Sequence, residues 1–242
     1  MSIDIDGNER RVLYEFARDT VRERRARRVL DLACGDGEGT AIIADGVPEG
    51  SVLGIDLSST EIQKTASRVR PNLRFAEGNA LAVSHPDRAF DAIVSCHTIE
   101  HFTEADQRQL LKELHRLLQS GGLLVIATPD RDVWSMLGIA GQQEDHIREL
   151  TQGEFVGLVQ EAGFTVRQVL GQSILRHGTF PLRRVLNVLK RLDVFHVRRL
   201  LGSSVRTIDK QTQPIVRDAT VLPLPPSERA STTVLIAERS SA

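Results

Sequence analysis

Two histidines flanked by acids stand out as groups able to hold an acceptor or take its proton: His101, directly after Glu100, and His146, within His146-Ile147-Arg148-Glu149. Imidazole titrates near neutral pH, which suits it to proton transfer. A second set of residues suits binding. Val29-Leu30-Asp31-Leu32 is a short run of apolar and acidic residues, and Gly35, Gly37 and Gly39 follow it closely. Glycine serves where the backbone takes positive φ or must approach a ligand. A third element is Asp56, which lies 21 residues after Gly35. An acid at that place can accept hydrogen bonds from ribose hydroxyls, or it can merely help cap the next helix.

The glycine turn limits the ligand. A dinucleotide fingerprint has a third glycine three residues after the second. Here the run is Gly35-Asp36-Gly37-Glu38-Gly39-Thr40, so threonine stands at that place. Asp31, Asp36 and Glu38 crowd the turn, where a pyrophosphate needs positive potential. A cofactor with a cationic end and no phosphate fits better. S-adenosyl-L-methionine has one: a sulfonium and an α-ammonium beside an adenosine. A nicotinamide-dependent enzyme is the competing reading of the same turn. A protein that binds the cofactor without turnover is another.

Asp31-Leu32-Ala33-Cys34-Gly35-Asp36-Gly37 resembles motif I of the class I S-adenosylmethionine-dependent methyltransferases, an acid followed by x-G-x-G-x-G. Asp31 matches the acid, Ala33 replaces the first glycine, and Gly35 and Gly37 match the next two. Gly54-Ile55-Asp56-Leu57-Ser58 and Gly78-Asn79-Ala80 are similar to the family's next two blocks, with Asn79 in place of an acid. Phe90-Asp91-Ala92-Ile93 and Ile99-Glu100-His101 resemble a later block of its small-molecule members. The resemblance implies that Asp31, Ala33, Gly35, Gly37, Asp56, Leu57, Asn79, Ala80, Cys96 and His97 hold the cofactor, Cys96 and His97 through their backbone. Asp56 is implied as the ribose ligand. Glu100 or His101, and His146 or Arg148, are the candidates to act on a methyl acceptor, with His101 and His146 as the candidate bases. In each case a plainer role is open: Asn79 as a turn former, the Glu100-His101 pair as a loop anchor, His146 as a helix-start anchor and Cys96 as a small core residue.

Periodicity shows how these groups are positioned. Apolar residues at near-helical spacing in 11–28 predict an N-terminal helix, with 1–10 outside it. Its end carries five arginines between Arg22 and Arg28, read as a solvated helix end or a partner patch. Strands are expected near 28–33, 51–56, 73–77, 91–96, 123–128, 164–170 and 232–238. Helices are expected near 38–45, from Ser59 onward, at 104–119 and at 154–162. Ser58-Ser59-Thr60-Glu61 fits a capping box. Alternating strands and helices mean right-handed βαβ units and a parallel sheet. The resemblance adds the order 3-2-1-4-5-7-6, with strand 7 antiparallel: an α/β, Rossmann-like, mostly parallel sheet of seven strands with helices on both faces.

Composition sets the bounds. The chain has 242 residues, 40% hydrophobic and 26% charged, with a formal net charge of −1. These values describe a globular protein with no global field for nucleic acid. Amino-methylating enzymes of nucleic-acid bases carry [DN]-P-P-[YF] after strand four, where Ser95-Cys96-His97-Thr98 stands instead. Two cysteines and no apolar span of about 18 residues predict a reduced, cytoplasmic protein. No C-x-x-C or H-E-x-x-H spacing is present, so no metal is expected. A single methyltransferase domain over 1–242 is expected, with 1–28 as a helical extension and 172–230 as an insert before the last strand. From Arg176 to Lys210 that insert holds nine Arg and Lys against two acids. It reads as a lid with a solvated basic face, an anionic-substrate clamp, or, less favoured, a membrane-surface helix. A small molecule is the expected partner, and nucleic acid is not.

Overall fold

The computed structural model describes residues 6–137, 145–175, 221–224 and 229–240. Among these, eight strands form one sheet: β1 (Arg28–Leu32), β2 (Ser51–Asp56), β3 (Leu73–Glu77), β4 (Phe90–Cys96), β5 (Leu118–Pro129), β6 (Phe164–Leu175), β7 (Val221–Pro223) and β8 (Arg229–Arg239). Their order is β3-β2-β1-β4-β5-β8-β6-β7. Pairing is parallel from β3 to β5 and antiparallel where β8 slots between β5 and β6. This is the expected seven-strand order, with the last expected strand being β8. The three-residue β7 extends the sheet beyond β6, opposite Leu170 to Gln172. Pro223 is tolerated there because proline suits an edge strand, where its missing N–H breaks no ladder on the outer side.

Six helices among the described residues accompany the sheet: α1 (Asp6–Glu23), α2 (Glu38–Asp45), α3 (Ser59–Lys64), α4 (Glu104–Leu117), α5 (Arg131–Leu137) and α6 (Gln152–Glu161). Residues on one sheet strand alternate between two cores, as the two-residue strand period requires. Leu30 and Leu32 pack with Leu110, Leu114 and Phe155 of α4 and α6. Val29 packs with Leu13, Tyr14 and Ala17 of α1 and Ile43 of α2. Ser58 caps α3, its side chain accepting the Glu61 amide at 3.3 Å. A full capping box at Thr151 and Glu154 starts α6 two residues before the expected 154.

Three expectations are corrected. The first helix runs over 6–23 rather than 11–28, so Asp6 to Arg10 are helical. Most of the arginines do not form a helix end. Arg25 takes a φ of 53° and the chain turns into β1. Arg28 grips Asp91 through Nε at 3.0 Å and Nη2 at 2.7 Å, while the Arg27 and Arg28 amides reach the same carboxylate. Arg24 pairs with Glu238 and Arg27 with Glu49. These pairs tie the turn and start of β1 to β4, to β8 and to Glu49 ahead of β2. Finally, β5 begins at Leu118, and Gly121-Gly122 is a bulge within it: Leu118 faces Phe90, but Leu123 faces Ala92. Gly121 has a φ of 70°, and a Cβ on Gly122 would lie 2.7 Å from Leu118 Cγ.

α1 is seated on α2 by one contact that only glycine allows. A Cβ on Gly39 would fall 2.4 Å from the Tyr14 ring. Gly39→Ala is therefore expected to lower stability by roughly 1–3 kcal/mol through overpacking, measured by urea unfolding. The basic insert expected at 172–230 lies largely outside the described residues; 172–175 end β6 and 221–223 form β7. Among the described residues no helix is long and apolar enough to cross a membrane.

Candidate active site

The order of strands reverses between β1 and β4, and ligands in open α/β sheets bind in the crevice beyond such carboxyl ends. The β1–α2 turn makes one wall. Gly35 and Gly37 have φ of 56° and 76°, and Ala33 also enters the left-handed region at 63°. Alanine is strained there by about 1 kcal/mol or more, whereas the family's glycine would not be. Gly37 is packed so closely that an added Cβ would meet Phe75 at 2.6 Å.

Asp56 ties this turn to the end of β2. It accepts the Gly35 amide at 2.8 Å on one oxygen and the Ser58 amide at 2.9 Å on the other. Each oxygen keeps a second lone pair. Beside it Leu57 is 71% exposed, an unusual state for a large apolar side chain. Across from it, Asn79 Oδ1 accepts the Leu81 amide at 2.9 Å, so the turn-forming role is realised in the fold. Ala80 packs against the α4-side core.

Asp31 is fully buried beneath the turn. Thr40 Oγ1 donates to it at 2.6 Å and the Tyr14 hydroxyl at 3.4 Å. Burial pushes its pKa up to about 6, against the pull of the Thr40 and Tyr14 hydrogen bonds and the charge of Arg10. The acid-lined turn is milder than its sequence implies. Asp36 lies 3.8 Å from Arg10 and 3.5 Å from Arg68, and its carbonyl accepts Arg68 Nε. Of the other acids, Asp31 lies buried under the turn, Asp56 is hydrogen-bonded to it and Glu38 is exposed. Tyr14 and Arg10 were not legible as site residues; Tyr14 reads as one more apolar position on α1, although it is the chain's single tyrosine.

The second wall follows β4. Cys96 is buried, and both cysteines are free thiols. Burial, with Asp31 and Glu100 nearby, pushes the Cys96 thiol well up, which favours its protonated form. His97 bends the chain at a φ of 54°, and its amide donates to the Ala127 carbonyl at 2.9 Å. That amide is thereby committed, which leaves carbonyl oxygens as the polar backbone presented at Cys96 and His97.

Glu100 is fully buried in the 3₁₀ turn Ile99–His101. Its Oε2 accepts the Thr128 hydroxyl at 3.0 Å. Among the described residues Oε1 has no hydrogen-bond partner, and His97 Nδ1 stands off at 3.4 Å. Burial works to raise the Glu100 pKa, but His97, then its own backbone and His101, hold it below the usual range. The Glu100 carbonyl accepts the Ile147 and Arg148 amides at 3.0 Å each. Gln107 of α4 donates to the Ile99 and Arg148 carbonyls and accepts from the Arg148 guanidinium. These bonds draw 145–150 onto the end of β4.

The result brings His101 and His146 together, ring centroids 5.1 Å apart and edge to face. His101 Nδ1 meets the Asp145 carbonyl at 2.9 Å, and His146 Nδ1 meets Glu149 Oε1 at 2.9 Å. Trp134 covers His146, centroids 5.6 Å apart. Glu100 and His101 anchor the 145–150 loop, and the same bonds bring both rings together beyond the end of β4. Trp134 and Gln107, which no motif singled out, contact the two histidines' segment, and Glu149 was visible only as part of the segment His146 to Glu149.

A doubly wound sheet with a glycine turn, a β2 acid bound to that turn and a polar cluster after β4 defines a Rossmann-like methyltransferase fold. Residues 29–122 match the family model described as a methyltransferase domain. A probable S-adenosylmethionine-dependent methyltransferase of Mycolicibacterium smegmatis is 32% identical over 193 residues, 80% of this chain and 66% of that protein. A demethylmenaquinone methyltransferase of Thermus thermophilus is 34% identical over 111 residues, 45% of this chain and 50% of that protein. The chain thus spans between half and two thirds of the length of these relatives. The crystal structure of the YcgJ protein of Bacillus subtilis superposes with a TM-score of 0.62 over 95% of this chain and 99% of that one, at 16% identity. The chain belongs to the class I S-adenosylmethionine-dependent methyltransferases. The cofactor implied by family and fold is S-adenosyl-L-methionine.

Proposed function

We propose that this chain, as a single methyltransferase domain, transfers a methyl group to an oxygen or nitrogen of a hydroxylated small molecule such as a sugar or quinol. The observation that supports it most is the junction at Gly35: its amide lies on Asp56, with Asp31 buried below and two imidazoles across the crevice. The donor set fits the cofactor. Asp56 retains a lone pair on each oxygen for the ribose hydroxyls. Exposed Leu57 offers an apolar surface for a flat base, and Asn79 and Ala80 follow the neighbouring strand β3. Asp31 supplies negative charge under the cationic end, and Arg10, above Gly35, supplies positive charge for a carboxylate. When bound, the cofactor supplies an activated methyl group.

The chain's residues then do three things. Gly35, Gly37 and Asp56 fix the position of the donor, and fixed approach can contribute several kcal/mol to lowering a barrier. His101 and His146 face the acceptor with Nε2, since Nδ1 of each is committed. As the acceptor takes up the methyl group, its proton would leave toward these rings. The relative named for demethylmenaquinone makes a quinol-type ring one acceptor class worth screening.

Calorimetry with the whole chain tests the cofactor. S-adenosylmethionine and its demethylated product are expected to bind one per chain, and nicotinamide dinucleotides not at all. Heat from the dinucleotide alone would reverse the reading. A transfer assay over hydroxylated sugars, quinols and lipids then separates an enzyme from a protein that only binds the cofactor.

A further inference from the structure

We propose that Glu100, His101 and His146 together bind a divalent transition-metal cation, zinc or an ion of similar ligand preference, which holds and acidifies the acceptor. The inference rests on the methyl-transfer reading for its purpose, but not for its evidence. One ligand atom from each of the three side chains lies within 4.8 Å of the others. Metal bonds of about 2.0–2.2 Å to nitrogen and oxygen require these atoms to close by about an ångström, within the reach of small side-chain rotations.

Three features distinguish this cluster from a chance meeting of polar groups. The imidazoles are already oriented as metal ligands are: each Nδ1 meets an oxygen, the Asp145 carbonyl or the Glu149 carboxylate, so Nε2 is the nitrogen left for coordination. Glu149 and His146 side chains are each only 7% exposed, so this carboxylate–imidazole pair is fixed rather than fluctuating in solvent. Glu100 is fully buried, with an oxygen that no hydrogen bond among the described residues satisfies. His97 Nδ1 stands 3.4 Å from that oxygen without a hydrogen bond to it; a carboxylate so weakly partnered in a buried place is costly, and a cation would lower the cost.

The donor types select the ion. Two imidazoles and one carboxylate suit zinc, manganese, iron(II) or cobalt(II) better than magnesium or calcium, which prefer oxygen alone. Three protein ligands leave open positions, the arrangement of a catalytic rather than a structural site. An acceptor with two neighbouring oxygens could occupy them. Its metal-bound hydroxyl would lose its proton to water near neutral pH, then form the bond to methyl as the bond to sulfur breaks. Sequence spacing did not suggest a metal because His101 and His146 are far apart in the chain and are brought together by the Gln107, Glu100 and His101–Asp145 hydrogen bonds.

The test needs neither donor nor acceptor. The whole chain is stripped with chelator and titrated with cobalt(II), following its visible absorption, and with zinc by calorimetry. One cobalt per chain with a visible band typical of nitrogen and oxygen ligands is expected. His146→Ala should weaken binding at least 100-fold. Glu149→Gln, which keeps the shape of the pocket, should weaken it about 10–100-fold. No saturable site, or binding equal in the wild type and both variants, overturns the metal. S-adenosylmethionine calorimetry on the stripped chain is scored separately: cofactor binding without metal binding removes only this inference, and metal binding without cofactor binding removes only the methyl-transfer reading.

Discussion

Turnover falls by about 10²–10⁴-fold when His101 and His146 are both changed to alanine, while S-adenosylmethionine binds as before. That range is what a positioned proton acceptor contributes. Cofactor affinity should hold because the rings bond to the 145–149 segment, whereas Gly35 and Asp56 bond to each other. Either single variant should show most of the loss, since groups that act as one unit are not additive. Single-turnover methyl transfer and cofactor calorimetry on the same preparations check this. Unchanged turnover in the double variant would remove both rings from the chemistry. Chelation adds a second reading of the same variants. If the rings hold a cation, stripped wild type drops to the level of the double variant and recovers with zinc; if they take the proton themselves, chelator changes nothing.

The other large effect belongs to Asp31. Its pKa is raised, so the folded chain holds that proton more tightly than the unfolded one. The stability it contributes is fully present below about pH 3.8 and is lost as pH rises through about 6. A rise of about two in pKa is equivalent to about 3 kcal/mol. Asp31→Asn keeps partners for Thr40 and Tyr14 but cannot ionise. Ligand-free, the variant should exceed wild type by up to about 3 kcal/mol at pH 7 and match it near pH 3.5. Subtracting the two urea-unfolding profiles isolates the group from carboxylates such as Asp91 and Glu238, whose shifts run the other way.

The same carboxylate should cost the variant its cofactor. A charge-assisted interaction contributes roughly 1.5–3 kcal/mol, or about 10–100-fold in affinity at pH 7.5. Cation and proton compete for one site, so wild-type affinity should climb between pH 5 and 7 and that of the variant should stay flat. Parallel pH profiles for the two proteins would show that Asp31 is only a scaffold. A gain in stability with a loss of binding is the pattern expected where a buried charge is kept for function.

Much of this architecture was legible because local and global signals agree. The bounds of α2, β2 and β3 follow from apolar periodicity, and the Ser58 cap from a four-residue pattern. The departures have separate causes. Asp6 to Arg10 carry no apolar stripe, so they are helical only as the leading turns of the amphipathic stretch that begins at Val12. Thr151 starts α6 early through a reciprocal cap that apolar spacing does not reveal. β7 is too short for any period to show, and it exists only because β6 offers an edge. In the site, motif spacing located the glycine turn, Asp56 and the Glu100-His101 step. It could not bring His146 to His101, because that meeting depends on Gln107 and on backbone bonds to Glu100. Nor could it show that Asp36 is held by Arg10 and Arg68, since helix and turn meet only after folding.

The far edge of the sheet bears on how such a chain tolerates changes of length. β6 runs out at Leu175, β7 resumes at Val221 opposite Gln172, and β8 pairs alongside from Arg229. The two ends of 176–220 therefore leave from and return to the same border of an already finished scaffold. Closing a longer excursion between fixed ends costs little, about 0.6 kcal/mol for each doubling. A change in the length of 176–220 is therefore expected to cost the sheet little.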